Sequence, residues 1–78
     1  MTNKEIGDAI TNAIYRVEQN NVPAALILLQ EDIFNQMDIR YAKTFLGLEL
    51  QSVGGDKSFV LSDPRYQQYR IIEWPEGN

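Results

Sequence analysis

Between Asn3 and Gln19 the apolar residues Ile6, Ala9, Ile10, Ala13, Ile14 and Val17 recur at the i, i+3, i+4, i+7 spacing. That period lays a single apolar stripe along an α-helix. Lys4, Asp8, Thr11, Asn12 and Glu18 fall largely on the other side, so the stripe must be buried against the rest of the fold. Thr2 and Glu5 stand at the S/T-x-x-E spacing of a capping box, in which each residue satisfies a backbone N–H of the other at the helix start. The helix is expected to stop in the polar Gln19-Asn20-Asn21, because Pro23 disfavours a helical residue before it.

The pattern then changes. Ala24 to Leu29 is a continuous apolar run between Pro23 and the polar Gln30-Glu31-Asp32, too short for an ordinary buried helix and suited to a strand buried on both faces. Glu31 and Asp32 fit the positive N-terminal end of a second helix, which places Ile33, Phe34 and Met37 on one side and runs on to Tyr41 or Lys43. Phe45 to Val53 contains Leu48 and Leu50 alternating with Glu49 and Gln51, the period of a strand with one buried face. Gly54-Gly55-Asp56 supplies a turn, Ser58 to Leu61 returns as a strand, and Asp63-Pro64 marks another turn. Tyr69 to Trp74 reads as the last strand, before a polar end at residues 75–78 that is expected to fray. The expected architecture is α+β: two helices packed on one face of a small, mainly antiparallel four-stranded sheet, in the order helix, strand, helix, strand, strand, strand.

Length limits this to one domain over residues 1–78, since 78 residues lie near the lower bound for a self-sufficient apolar core. A hydrophobic content of 44%, with eight aromatics, supplies material for that core. No apolar run is long enough to span a bilayer, and the N-terminal residues are polar where a signal peptide is basic and then apolar. The chain therefore reads as cytoplasmic, without membrane association. There is neither cysteine nor histidine, which excludes disulfides, thiol catalysis, cysteine-ligated zinc and the usual general base. The net charge of −4 is spread without blocks, which disfavours direct nucleic-acid binding, a property resting on clustered Lys and Arg.

The remaining constellations point away from an enzyme. Glu31, Asp32 and Asp38 are the one local carboxylate group, but adjacent helical residues diverge by roughly 100° and no loop supplies the further oxygens of a calcium site. Gly54-Gly55-Asp56-Lys57 lacks the spacing of a phosphate-cradling loop and leads into a strand. Ser52, Ser58 and Ser62 have no histidine to deprotonate them. Neither a metal nor another cofactor is expected. Arg65, Tyr66, Tyr69, Arg70 and Trp74 are instead the candidate partner-binding residues, because Tyr, Trp and Arg dominate binding energy at interfaces. Alternation sets Tyr69, Ile71 and Glu73 on one side of the last strand and Arg70, Ile72 and Trp74 on the other, so that one set faces the core and the other is available.

Val22 to Leu28, Glu31 to Met37, Phe45-Leu46-Gly47-Leu48-Glu49-Leu50 and Phe59-Val60-Leu61 together resemble a pattern of small tailed-phage and prophage proteins. The order of helix, strand, helix and leucine-glycine strand is similar to part of the axial domain of tailed-phage major capsid proteins, over about two thirds of the chain. The resemblance implies a phage or mobile-element origin and a non-enzymatic role. The long spine helix and extended arm of a capsid subunit have no counterpart here, which argues against a shell-forming subunit. The expected function is a small acidic protein-binding module that inhibits or modulates a host complex, with a protein partner whose identity the sequence does not give. The alternatives are a self-associating virion assembly protein, for which a homodimer is the simplest form, and an acidic nucleic-acid mimic.

Overall fold

A computed structural model describes residues 2–19, 21–37 and 44–74. Its elements, in chain order, are α1 (Asn3–Glu18), β1 (Ala24–Gln30), α2 (Glu31–Gln36), β2 (Thr44–Phe45), β3 (Leu48–Val53), β4 (Ser58–Ser62) and β5 (Ile71–Trp74). The fold is α+β, but its sheet is mixed and five-stranded, with the order β2-β3-β1-β4-β5. The expected four mainly antiparallel strands are corrected in two respects. First, the segment read as one strand from Phe45 is a hairpin: Phe45 pairs with Leu48 across a two-residue turn at Leu46-Gly47. Both turn residues have positive φ, 51° and 81°, the backbone of a type I′ turn, whose twist matches that of its flanking strands. Second, β1 pairs with β3 in parallel, because the connection through α2 and β2 returns the chain to the end of the sheet at which β1 began.

The capping box forms as its spacing predicts. Thr2 Oγ1 accepts from the Glu5 N–H and Glu5 Oε1 accepts from the Thr2 N–H, each at 3.1 Å. These bonds hold the Glu5 carboxyl below its ordinary range, the backbone N–H of Thr2 contributing most and its side chain next. At the other end of α1, Glu18 Oε2 accepts from the Ala24 N–H at 3.1 Å, tying the helix to the first residue of the central strand. α2 ends at Gln36, with the Met37 N–H donating to the Phe34 carbonyl. The expected continuation to Tyr41 or Lys43, Asp38 of the carboxylate group and the fraying at residues 75–78 lie outside the described residues.

One core holds the molecule together. Ile6, Ile10, Ala13 and Val17 of α1 meet Ile27 and Leu29 of β1, Leu50 of β3, Val60 of β4, and Ile72 and Trp74 of β5, and Ile33 of α2 joins the same cluster. Register explains the assembly: Leu50, Ile27, Val60 and Ile72 stand side by side across four strands. Trp74 is 3% exposed because strand alternation puts it on the helix side with Ile72. Its expected place at a partner surface is therefore withdrawn. β5 also begins at Ile71, two residues later than expected.

The two serines at the ends of β4 are fully buried on this inner face. Ser58 Oγ accepts from the Gln30 N–H at 3.0 Å and Ser62 Oγ from the Arg70 N–H at 2.6 Å, while the Ser62 N–H donates to the Arg70 carbonyl at 2.9 Å. Each hydroxyl thus satisfies a backbone N–H at a strand end, a structural duty that explains polar residues inside a small core.

Candidate functional site

The opposite face of the sheet is built differently. Leu26 and Leu28 of β1, Phe59 and Leu61 of β4, and Ile71 of β5 point away from the helices, paired as Leu26 with Leu61, Leu61 with Ile71, and Leu28 with Phe59. The four residues on the central strands are half-buried, and Ile71 is 53% exposed. Among the described residues no helix or loop is layered over them. β1 thus has one buried face and one half-buried face, where the sequence pattern suggests a strand enclosed on both. Five contiguous large apolar side chains on an open sheet face form the kind of patch that marks an interaction surface in a folded chain.

The register sets the polar surroundings of this patch. One row across the sheet runs Glu49, Leu26, Leu61, Ile71 and the next runs Gln51, Leu28, Phe59, Glu73. Acids therefore stand at diagonally opposite corners. Lys57 Nζ lies 3.0 Å from Glu73 Oε1, and this bond raises the Lys57 pKa above its ordinary value. Gln51 Nε2 donates to Glu49 Oε1 at 3.3 Å, and no cation among the described residues is paired with Glu49.

The arginine- and tyrosine-rich segment expected to bind a partner forms the β4–β5 loop at the end of this sheet. Tyr66 and Tyr69 are 46% and 45% exposed. Arg65 is exposed but committed: its Nε lies 3.0 Å from both Asp63 carboxylate oxygens, Nη2 joins the fork, and the Arg65 N–H donates to Asp63 Oδ1 at 2.9 Å. The Arg65 guanidinium and N–H together hold the Asp63 carboxyl down to about 2. Arg70 is half-buried, its backbone held by Ser62. A depression of about 420 Å³ opens between this loop and the α1–β1 connection, lined by Asn21, Val22, Arg65, Tyr66, Gln67 and Gln68. The structure thus keeps Arg65, Tyr66, Tyr69 and Arg70 in one loop and assigns Trp74 to the core.

A second depression, of about 410 Å³, is lined by Gln30, Glu31, Asp32, Asn35, Gly55 and Asp56. Among the described residues no group of three carboxylates is arranged to hold a metal ion, and no helix is long and apolar enough to cross a membrane. The fold and the patch together define a two-layer α+β domain with one helix-covered and one open sheet face. Comparison of the chain with protein-family models, with curated proteins and with solved structures finds no match.

Proposed function

We propose that this protein is a non-enzymatic protein-binding module that works through the open face of its sheet, with Tyr66 and Tyr69 of the adjoining loop at the margin of the contact. The observation that carries the reading is the unlayered patch of Leu26, Leu28, Phe59, Leu61 and Ile71. A chain of this size needs all the apolar burial it can obtain, so five large apolar residues placed outside its core support a role in binding. Tyrosines at the margin supply area and a hydroxyl at modest entropic cost. Arg65 contributes less than its residue type suggests, because its charge is already neutralised within the loop. A phage or mobile-element factor acting on a host complex is the form of module that the tailed-phage resemblance implies.

Quantitative affinity capture from a lysate of the encoding organism tests this reading, using the wild type, a face variant (Leu61→Thr with Ile71→Thr) and a loop variant (Tyr66→Ala with Tyr69→Ala). The reading expects proteins retained by the wild type to be lost by the face variant and reduced by the loop variant. Retention unchanged by the face variant contradicts it.

A further inference from the structure

The depression between the α1–β1 connection and the β4–β5 loop is built from other residues than the open face and has its own chemistry. We propose that it is a binding site for a neutral carbohydrate, with Tyr66 stacking on the sugar ring and the side-chain amides of Asn21, Gln67 and Gln68 bonding its hydroxyls. The proposal is independent of what the open face binds.

The walls of the depression are tied to each other and to the core. The Asp63 N–H donates to the Pro23 carbonyl at 3.3 Å, which joins the loop to the connection. On the loop side the Tyr66 N–H donates to the Asp63 carbonyl at 3.1 Å, closing a turn, and Asp63 Oδ1 accepts from the Arg65 N–H at 2.9 Å within it. On the other side the Asn21 N–H donates to the Glu18 carbonyl at 3.1 Å. Asn21 holds φ 62°, a left-handed backbone that asparagine adopts more readily than most residues. Val22, 5% exposed, anchors this wall in the core. A site whose backbone is already held loses little conformational freedom on binding.

The chemistry of the lining selects the ligand. Arg65 carries the one ionised side chain among the six described lining residues, and its charge is matched by the Asp63 carboxylate that it forks. A phosphate or carboxylate therefore finds no unmatched cation there. The side-chain amides of Asn21, Gln67 and Gln68 have no hydrogen-bond partner among the described residues. Each offers two donors and an acceptor, so together they bond hydroxyl groups in either sense. A wholly apolar ligand would cover these amides without bonding them, at the cost of desolvation. The Tyr66 ring, 46% exposed, adds an apolar surface with a polar tip, which matches the C–H face and hydroxyl edge of a pyranose. The volume of about 420 Å³ lies within the range of small-molecule sites, roughly 300–1,000 Å³.

NMR titration of the full chain with maltose, cellobiose, lactose and diacetylchitobiose tests the proposal. At least one of these disaccharides is expected to shift the side-chain amide signals of Asn21, Gln67 and Gln68 and the ring signals of Tyr66, with a dissociation constant of roughly 1 mM. Tyr66→Ala should weaken that binding about tenfold, whereas Tyr66→Phe, which keeps the ring, should retain most of it. Gln68→Ala should weaken it by a smaller factor. Both positions are exposed, and unchanged methyl signals of Ile10 and Val17 identify variants whose core is intact. No response to any of the disaccharides, shifts centred on other residues, or undiminished binding by Tyr66→Ala overturns the proposal. So does inorganic phosphate that moves the same signals at lower concentration than any sugar, a result that makes the depression an anion site. An uncharged glycine-serine peptide that binds there where the sugars do not also overturns it, and makes the depression a peptide site.

Discussion

Leu46 is the residue whose backbone and side chain disagree most. It holds φ 51° at a hairpin tip and is 69% exposed, so it has left-handed strain and little packing to offset it. Left-handed backbone costs an ordinary L-residue roughly 1–2 kcal/mol, and asparagine adopts it most readily among non-glycine residues. Leu46→Asn creates the Asn-Gly pair favoured in type I′ turns and should raise stability by about 1 kcal/mol, read as a higher urea midpoint with an unchanged slope. Asp63 makes a second local prediction. Its carboxyl is held at about 2 against an ordinary 3.8, so its pairing with Arg65 contributes fully above the ordinary value and is lost as pH falls through about 2. A carbon-detected titration should place its midpoint near 2, and Arg65→Ala should move it up towards the ordinary value. At Trp74 the indole is buried while Nε1 has no hydrogen-bond partner among the described residues. Trp74→Phe should therefore be far milder than Trp74→Ala, for which about 3–5 kcal/mol is expected from lost packing.

At the scale of elements, α1 was legible because its evidence is local and repeated. A stripe with helical period, a capping box and a proline after the end all agree, and the structure places Ile6, Ile10, Ala13 and Val17 in the core. Ile10→Ala should cost about 2–5 kcal/mol. Ile14, half-buried at the side of the stripe, should cost less, and Thr11→Ala should be nearly silent because it removes an exposed hydroxyl bonded to the Gly7 carbonyl of its own helix. Denaturation midpoints for the three variants check that order. The strands were legible as segments and only partly as a sheet. β2 escaped because its hairpin uses Leu-Gly where Asn-Gly or Asp-Gly signals a two-residue turn. The parallel pairing of β1 with β3 escaped because side-chain alternation is the same for either direction, and direction depends on how far the connecting segment carries the chain.

For the whole molecule, the run from Ala24 to Leu29 announced that both faces of the central strand are apolar, yet no local pattern says which faces the rest of the chain can cover. Among the described residues two helices, one of six residues, leave a face of the five-stranded sheet without a described layer. The interface expected around Tyr66 and Tyr69 is joined by a patch that the sequence showed only as excess apolar material. Trp74 and Ile71 exchanged roles because alternation offered two solutions for the last strand, and the packing of α1 on β5 selected the one that buries tryptophan.

The central claim is that the open face, rather than another part of the surface, meets the partner. Methyl-resolved NMR of the labelled protein in a lysate of the encoding organism tests it directly. The account predicts that the methyl signals of Leu26, Leu28, Leu61 and Ile71 shift or broaden first, while those of Ile10 and Val17 in the core keep their positions. Open-face methyls that stay unchanged while signals elsewhere on the surface respond would contradict it.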